Sequence, residues 1–139
     1  MEDIPLAASA PVKIPLFVSR ASAGFPSPAD DFIDTALDLN EHLIRHPAAT
    51  FFVKAKGDSM IRAGIFPGSL LMVDRSLEPR QGSIILAVLD GAFTVKRFHQ
   101  EGGCVVLMPE NPKYQPIHVG LEQDFSVWGV VIHAIRTFT

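Results

Sequence analysis

Ile84-Ile85-Leu86-Ala87-Val88-Leu89, then Asp90-Gly91, then Ala92-Phe93-Thr94-Val95-Lys96-Arg97-Phe98 is the stretch whose reading decides the fold. Asp-Gly between two runs of strand-forming residues signals a two-residue type I′ hairpin, because that turn needs positive φ at both central positions. The turn sets the register: Leu89 faces Ala92, Ala87 faces Thr94 and Ile85 faces Lys96. Side chains alternate along a strand, so Lys96 shares a face with Ile85, Ala87, Leu89, Ala92 and Thr94. The first strand is apolar on both faces, so both faces are expected to be covered. Lys96 is thereby a candidate buried lysine. Burial removes hydration from the charged form, lowers the pKa and leaves a neutral amine able to act as a general base. The alternative is a stem lying along the sheet with its ammonium in water at the edge.

Outward from the hairpin, strand-like segments recur at 50–57, 69–74, 104–108 and 125–135, rich in β-branched and aromatic residues and punctuated by Gly and Pro. A helix is expected from Leu39 to about Arg45. Asp38 caps it, Glu41 holds the capping-box position and Pro47 stops it. Residues 1–30 carry Pro5, Pro11, Pro15, Pro26 and Pro28. Proline fixes φ and lacks a donor, so this arm is expected to be extended, with the folded domain spanning 31–139. The fold class is mainly β: a folded, partly closed sheet with one short helix, plus the N-terminal arm.

Composition narrows the function. The 139 residues are 47% apolar and 19% charged, a globular balance, and the net charge is −3. No basic stripe is present to bind phosphates, which argues against stand-alone nucleic-acid binding. No segment approaches about 18 consecutive apolar residues, so none is expected to span a bilayer. Ala21-Ser22-Ala23 looks like the small-residue end of a signal peptide, yet the preceding residues are acidic and proline-broken, without an apolar core. The chain is therefore read as cytoplasmic, with a cleavage-like site that needs another explanation.

A lysine base needs a nucleophile. Gly57-Asp58-Ser59-Met60 follows a strand-like run, and Gly57 permits a sharp turn. Such a turn presents the Ser59 hydroxyl together with backbone N–H groups able to hold an oxyanion. The same residues also suit a plain Asx or Ser turn. Among the rival bases, His42 and His46 are expected at the helix C-terminus, facing its dipole. His133 reads as a core histidine, while His99 and His118 have no partner in sequence. Lys54 and Lys56 mark a wet strand face. Cys104, followed by Val105-Val106-Leu107, reads as a small buried hydrophobe. No His, Cys or carboxylate set has metal-ligand spacing, so no metal is expected.

The combination of Gly57-Asp58-Ser59-Met60, the hairpin run 90–97 and upstream Ala23-Gly24-Phe25-Pro26-Ser27-Pro28 resembles the LexA-like self-cleaving serine proteases (peptidase S24) and their SOS-mutagenesis branch. Residues 125–133 and 38–47 share the likeness, which covers about residue 14 to the end. The resemblance implies a LexA-like catalytic and dimerisation domain with Ser59 as nucleophile and Lys96 as neutral base. The N–H groups of Ser59 and Asp58 would line the oxyanion hole, and the scissile bond would be Ala23–Gly24. It also implies a homodimer, activation by a RecA filament on single-stranded DNA, and a Y-family, UmuC-like polymerase as partner of the cleaved product. It implies no cofactor and no operator binding. A signal-peptidase-like Ser–Lys enzyme and a non-catalytic β binding module are the alternatives.

Overall fold

The computed structural model describes residues 10–17 and 33–139. The chain divides into two compact units, Met1–Arg45 and His46–Thr139.

In the first unit, β1 (Ile14–Phe17) pairs antiparallel with β2 (Ile33–Leu37), Ile14 opposite Leu37. Neither strand was anticipated from the sequence, because Pro15 interrupts the strand pattern. The helix α1 (Leu39–Leu43) starts as expected, the Asp38 carboxylate accepting the Asn40 N–H at 3.0 Å. It ends earlier than Arg45. β-branched Ile44 takes an extended backbone, and its N–H closes the helix on the Asn40 carbonyl.

The second unit is built on β3 (Thr50–Lys54), β4 (Leu70–Asp74), β5 (Ile84–Leu89), β6 (Ala92–Glu101), β7 (Cys104–Met108), β8 (Ile117–His118) and β9 (Phe125–Ile135). They form one seven-stranded sheet in the order β3-β4-β9-β5-β6-β7-β8, every neighbouring pair antiparallel. The mainly β class holds, and the hairpin register is as expected, with Ile85 opposite Lys96 and Leu89 opposite Ala92. Asp90 and Gly91 both adopt positive φ, 49° and 83°, as a type I′ turn requires. Alternate residues of β5 feed two cores. Leu86 packs with Met60, Ile65, Leu71 and Val73, while Ile85 and Ala87 pack with Phe98, Leu107 and Val130. Both faces of β5 are therefore covered.

Gly129 permits the closest approach in the sheet. A Cβ there would lie 2.6 Å from Val73 Cγ1 and 3.0 Å from the Asp74 carbonyl oxygen. The β5–β9 register slips beside it, between Leu86 and Ala87, and a side chain on β9 here would collide with β4.

Three expectations are corrected. Cys104 is exposed, because it opens β7 straight after the Gly102-Gly103 turn, where none of the described residues covers the strand tip; burial begins at Val106. His133 is half-buried opposite Met72 rather than in the core. His46 lies beyond the helix end, and its Nδ1 meets Asp74 at 2.6 Å.

Asp74 is fully buried and also accepts the Ser76 N–H at 2.8 Å and the Ser76 hydroxyl at 2.6 Å. Burial opposes the ionised carboxylate, but the bonds from Ser76 and His46 outweigh it and hold the pKa below the ordinary 3.8. The sign follows: the stabilisation is complete above about pH 4 and is lost as pH falls through the folded-state pKa. Asp74→Ala, which strands the Ser76 donors, is expected to cost about 2–3 kcal/mol at neutral pH. Urea unfolding should show a lower midpoint at unchanged slope, and the gap to wild type should close in acid.

Candidate active site

β3 ends at Lys54, and Gly57, at φ +79°, turns the chain sharply. Asp58 and Ser59 follow in a tight turn. Met60 then plunges into the core at 2% exposure and anchors a 3₁₀ turn at Ile61–Ala63. The turn therefore stands on a buried side chain while Ser59 remains half-exposed.

The fold brings the two singled-out side chains together. Lys96 Nζ lies 3.0 Å from Ser59 Oγ, although 37 residues separate them in sequence. It also donates to Thr94 Oγ1 at 2.8 Å and to the Val95 carbonyl at 3.2 Å. These three oxygens can take the three N–H donors of an ammonium, or two from a neutral amine whose lone pair then accepts the Ser59 hydroxyl. No carboxylate pairs with Lys96 among the described residues. Lys96 is half-buried rather than sealed, and that burial alone lowers its pKa from the ordinary 10.5. The dyad opens on a cavity of about 230 Å³ walled by Val53, Ala55, Ile65, Leu86 and Phe93, wide enough for small side chains. Lys54 and Lys56 are exposed at its margin.

The loop around Pro109 and Pro112 braces the Ser59 turn. The Glu110 N–H donates to the Ser59 carbonyl at 2.8 Å, and the Arg62 N–H donates to the Glu110 carbonyl at 2.9 Å. Buried Asn111 donates from Nδ2 to the Asp58 carbonyl at 2.9 Å. The Tyr114 hydroxyl donates to the Asp58 carboxylate, and this bond raises the Tyr114 pKa. Arg97, next to Lys96, donates to Glu110 Oε1 and to the Gly82 carbonyl, both at 2.6 Å. The Asn111–Asp58 contact spans 53 residues, so no local pattern marked it; asparagine between two prolines was the only hint. The N–H groups of Asp58 and Ser59 have no acceptor among the described residues.

Ala23 and Gly24 lie outside the described residues. Among the described residues no group of three or more His, Cys, Asp or Glu could hold a metal, and no helix is long and apolar enough to cross a membrane.

The chain is similar to known proteins over most of its length. The chain is 47% identical over 123 residues to Protein SamA of Salmonella typhimurium strain LT2, covering 88% of this chain and 87% of the relative. It is 43% identical over 128 residues to Protein ImpA of Escherichia coli, covering 88% and 83%. It is 40% identical over 120 residues to the LexA repressor of Ectopseudomonas mendocina strain ymp, covering 86% of this chain but 58% of that protein. The family model described as Peptidase S24-like matches residues 15–132, a span that takes in both halves of the Ser59–Lys96 contact, and the chain belongs to that family.

Proposed function

We propose that the chain is a UmuD-type self-cleaving serine protease that cuts its own arm between Ala23 and Gly24. Ser59 Oγ attacks the Ala23 carbonyl carbon while Lys96 Nζ accepts the hydroxyl proton. The Ser59 and Asp58 N–H groups receive the oxyanion. Lys96 then returns the proton to the departing Gly24 amine, and water releases the acyl group by the same route in reverse. Thr94 Oγ1 and the Val95 carbonyl hold the amine so that its lone pair faces Ser59. The observation carrying this reading is the 3.0 Å contact between Ser59 and a lysine that has no carboxylate partner among the described residues.

The proposed biological setting is supported by the likeness to the family. The shortened product is a cytoplasmic homodimer that joins a UmuC-like, Y-family polymerase in error-prone synthesis across lesions. A tethered arm is always at high effective concentration, so latency requires that the productive pose be rare. The RecA filament on single-stranded DNA stabilises that pose.

Intact mass after mild alkaline incubation tests site and activity together. Wild type should lose the mass of residues 1–23, and Ser59→Ala should keep it. A wild-type chain that stays whole both in alkali and with activated filament would favour a non-catalytic β module instead.

A further inference from the structure

We infer that Asn111 is a positioning residue that aims the Ser59 amide at the oxyanion. This inference rests on the protease reading above and adds to it a device for presetting the oxyanion hole.

The argument starts from the peptide plane. In a trans peptide the C=O and the following N–H point in opposite directions, and the Asp58–Ser59 bond is trans. The Asp58 carbonyl accepts Asn111 Nδ2 at 2.9 Å and, more weakly, the Ile61 N–H of its own turn at 3.3 Å, so Asn111 is the shorter of its two holds. The Ser59 N–H therefore points away from the 110–114 loop, and it has no acceptor among the described residues. The next peptide is fixed in the same way, because the Ser59 carbonyl accepts the Glu110 N–H at 2.8 Å. Two consecutive peptide planes are thus each held by a donor from one loop before any substrate arrives, the first with added support from the Ile61 N–H. An oxyanion hole needs this, because donors that must reorient during reaction stabilise less.

Asn111 is itself fixed. It is 9% exposed, its Oδ1 accepts the Lys113 N–H at 3.0 Å, and its carbonyl accepts the Tyr114 N–H at 3.1 Å. Tyr114 holds the Asp58 carboxylate by its hydroxyl. Arg97 ties Glu110 to β6, one residue from Lys96. Base and oxyanion donor are therefore referenced to one strand, by Lys96 on one side and by Arg97, Glu110 and Asn111 on the other.

The test is the alkaline self-cleavage profile of the full chain for wild type, Ser59→Ala, Asn111→Ala and Tyr114→Phe, with thermal unfolding of each. Asn111→Ala loosens a donor without deleting it, so the plateau rate should fall about 10- to 100-fold, below the full loss for a removed donor. The pH midpoint should not move, because Lys96 is untouched. An arm peptide ending in a boronic acid, which forms a tetrahedral adduct on Ser59, should lose affinity for Asn111→Ala. The uncut arm peptide should bind Ser59→Ala equally well with or without Asn111→Ala. An unchanged plateau, or a moved midpoint, would overturn the inference. Should Asn111→Ala unfold, Tyr114→Phe decides, since it removes only an exposed hydroxyl: a plateau lowered about threefold supports the positioning role, and an unaltered one overturns it. A wild-type chain that does not cleave sinks the protease reading itself. A cleaving wild type beside an equally fast Asn111→Ala sinks only the positioning role.

Discussion

Ser59→Ala is expected to stop self-cleavage, a loss of at least about 10³-fold, because among the described residues no other hydroxyl on the turn lies within reach of the lysine. Thr94 Oγ1 also touches Lys96 Nζ, at 2.8 Å, but it shares the strand face with the amine and lies off the turn that carries the unpaired N–H groups. Lys96→Met should cost about 10²–10⁴-fold, the range for a lost general base. The two losses should not add, since serine and lysine act as one unit. Folding provides the control. Lys96 is depressed by burial, so its charged form costs the native state free energy. Lys96→Met fills the same space without charge and should leave stability equal or higher. A gel or intact-mass assay, run beside thermal unfolding, reads both. A variant that unfolds, or a Ser59→Ala chain that still shortens by 23 residues, would contradict the assignment.

Self-cleavage should accelerate as pH rises and then level off below the ordinary lysine value of 10.5. Only the neutral amine accepts the serine proton, so the rate should climb about tenfold per pH unit below the folded-state pKa and flatten above it. The sign is fixed by the cause. Desolvation is the cause lowering Lys96, and with no carboxylate beside it among the described residues to hold the proton the midpoint moves down. Linkage gives an independent check. The unfolded chain keeps its proton up to the ordinary value while the native chain sheds it earlier, so this group adds stability as pH rises between the two. Lys96→Met should lack that increment. A rate that stays flat from neutral to strongly alkaline pH would remove lysine from the mechanism.

How legible the site was depended on distance along the chain. The Asp90-Gly91 turn is local, and its need for positive φ at both residues is written in those two side chains. From it the Ile85–Lys96 pairing followed by counting. The Asp38 cap was legible for the same reason. Expectations failed where cover depended on distant segments. Cys104 has buried sequence neighbours yet sits at a bare strand tip. His46 left the helix for Asp74, 28 residues away.

By itself, the sequence determined the elements and registers set by alternation and turn chemistry, along with the residue types able to do acid–base and nucleophilic work. Only the tertiary structure decided that Ser59 and Lys96 lie 3.0 Å apart, and that Asn111 and Glu110 hold the Ser59 turn from behind. The physical reason is that periodicity and turn geometry act over a few residues. Contacts across tens of residues come from how separate strands stack into one sheet, and no local pattern records them.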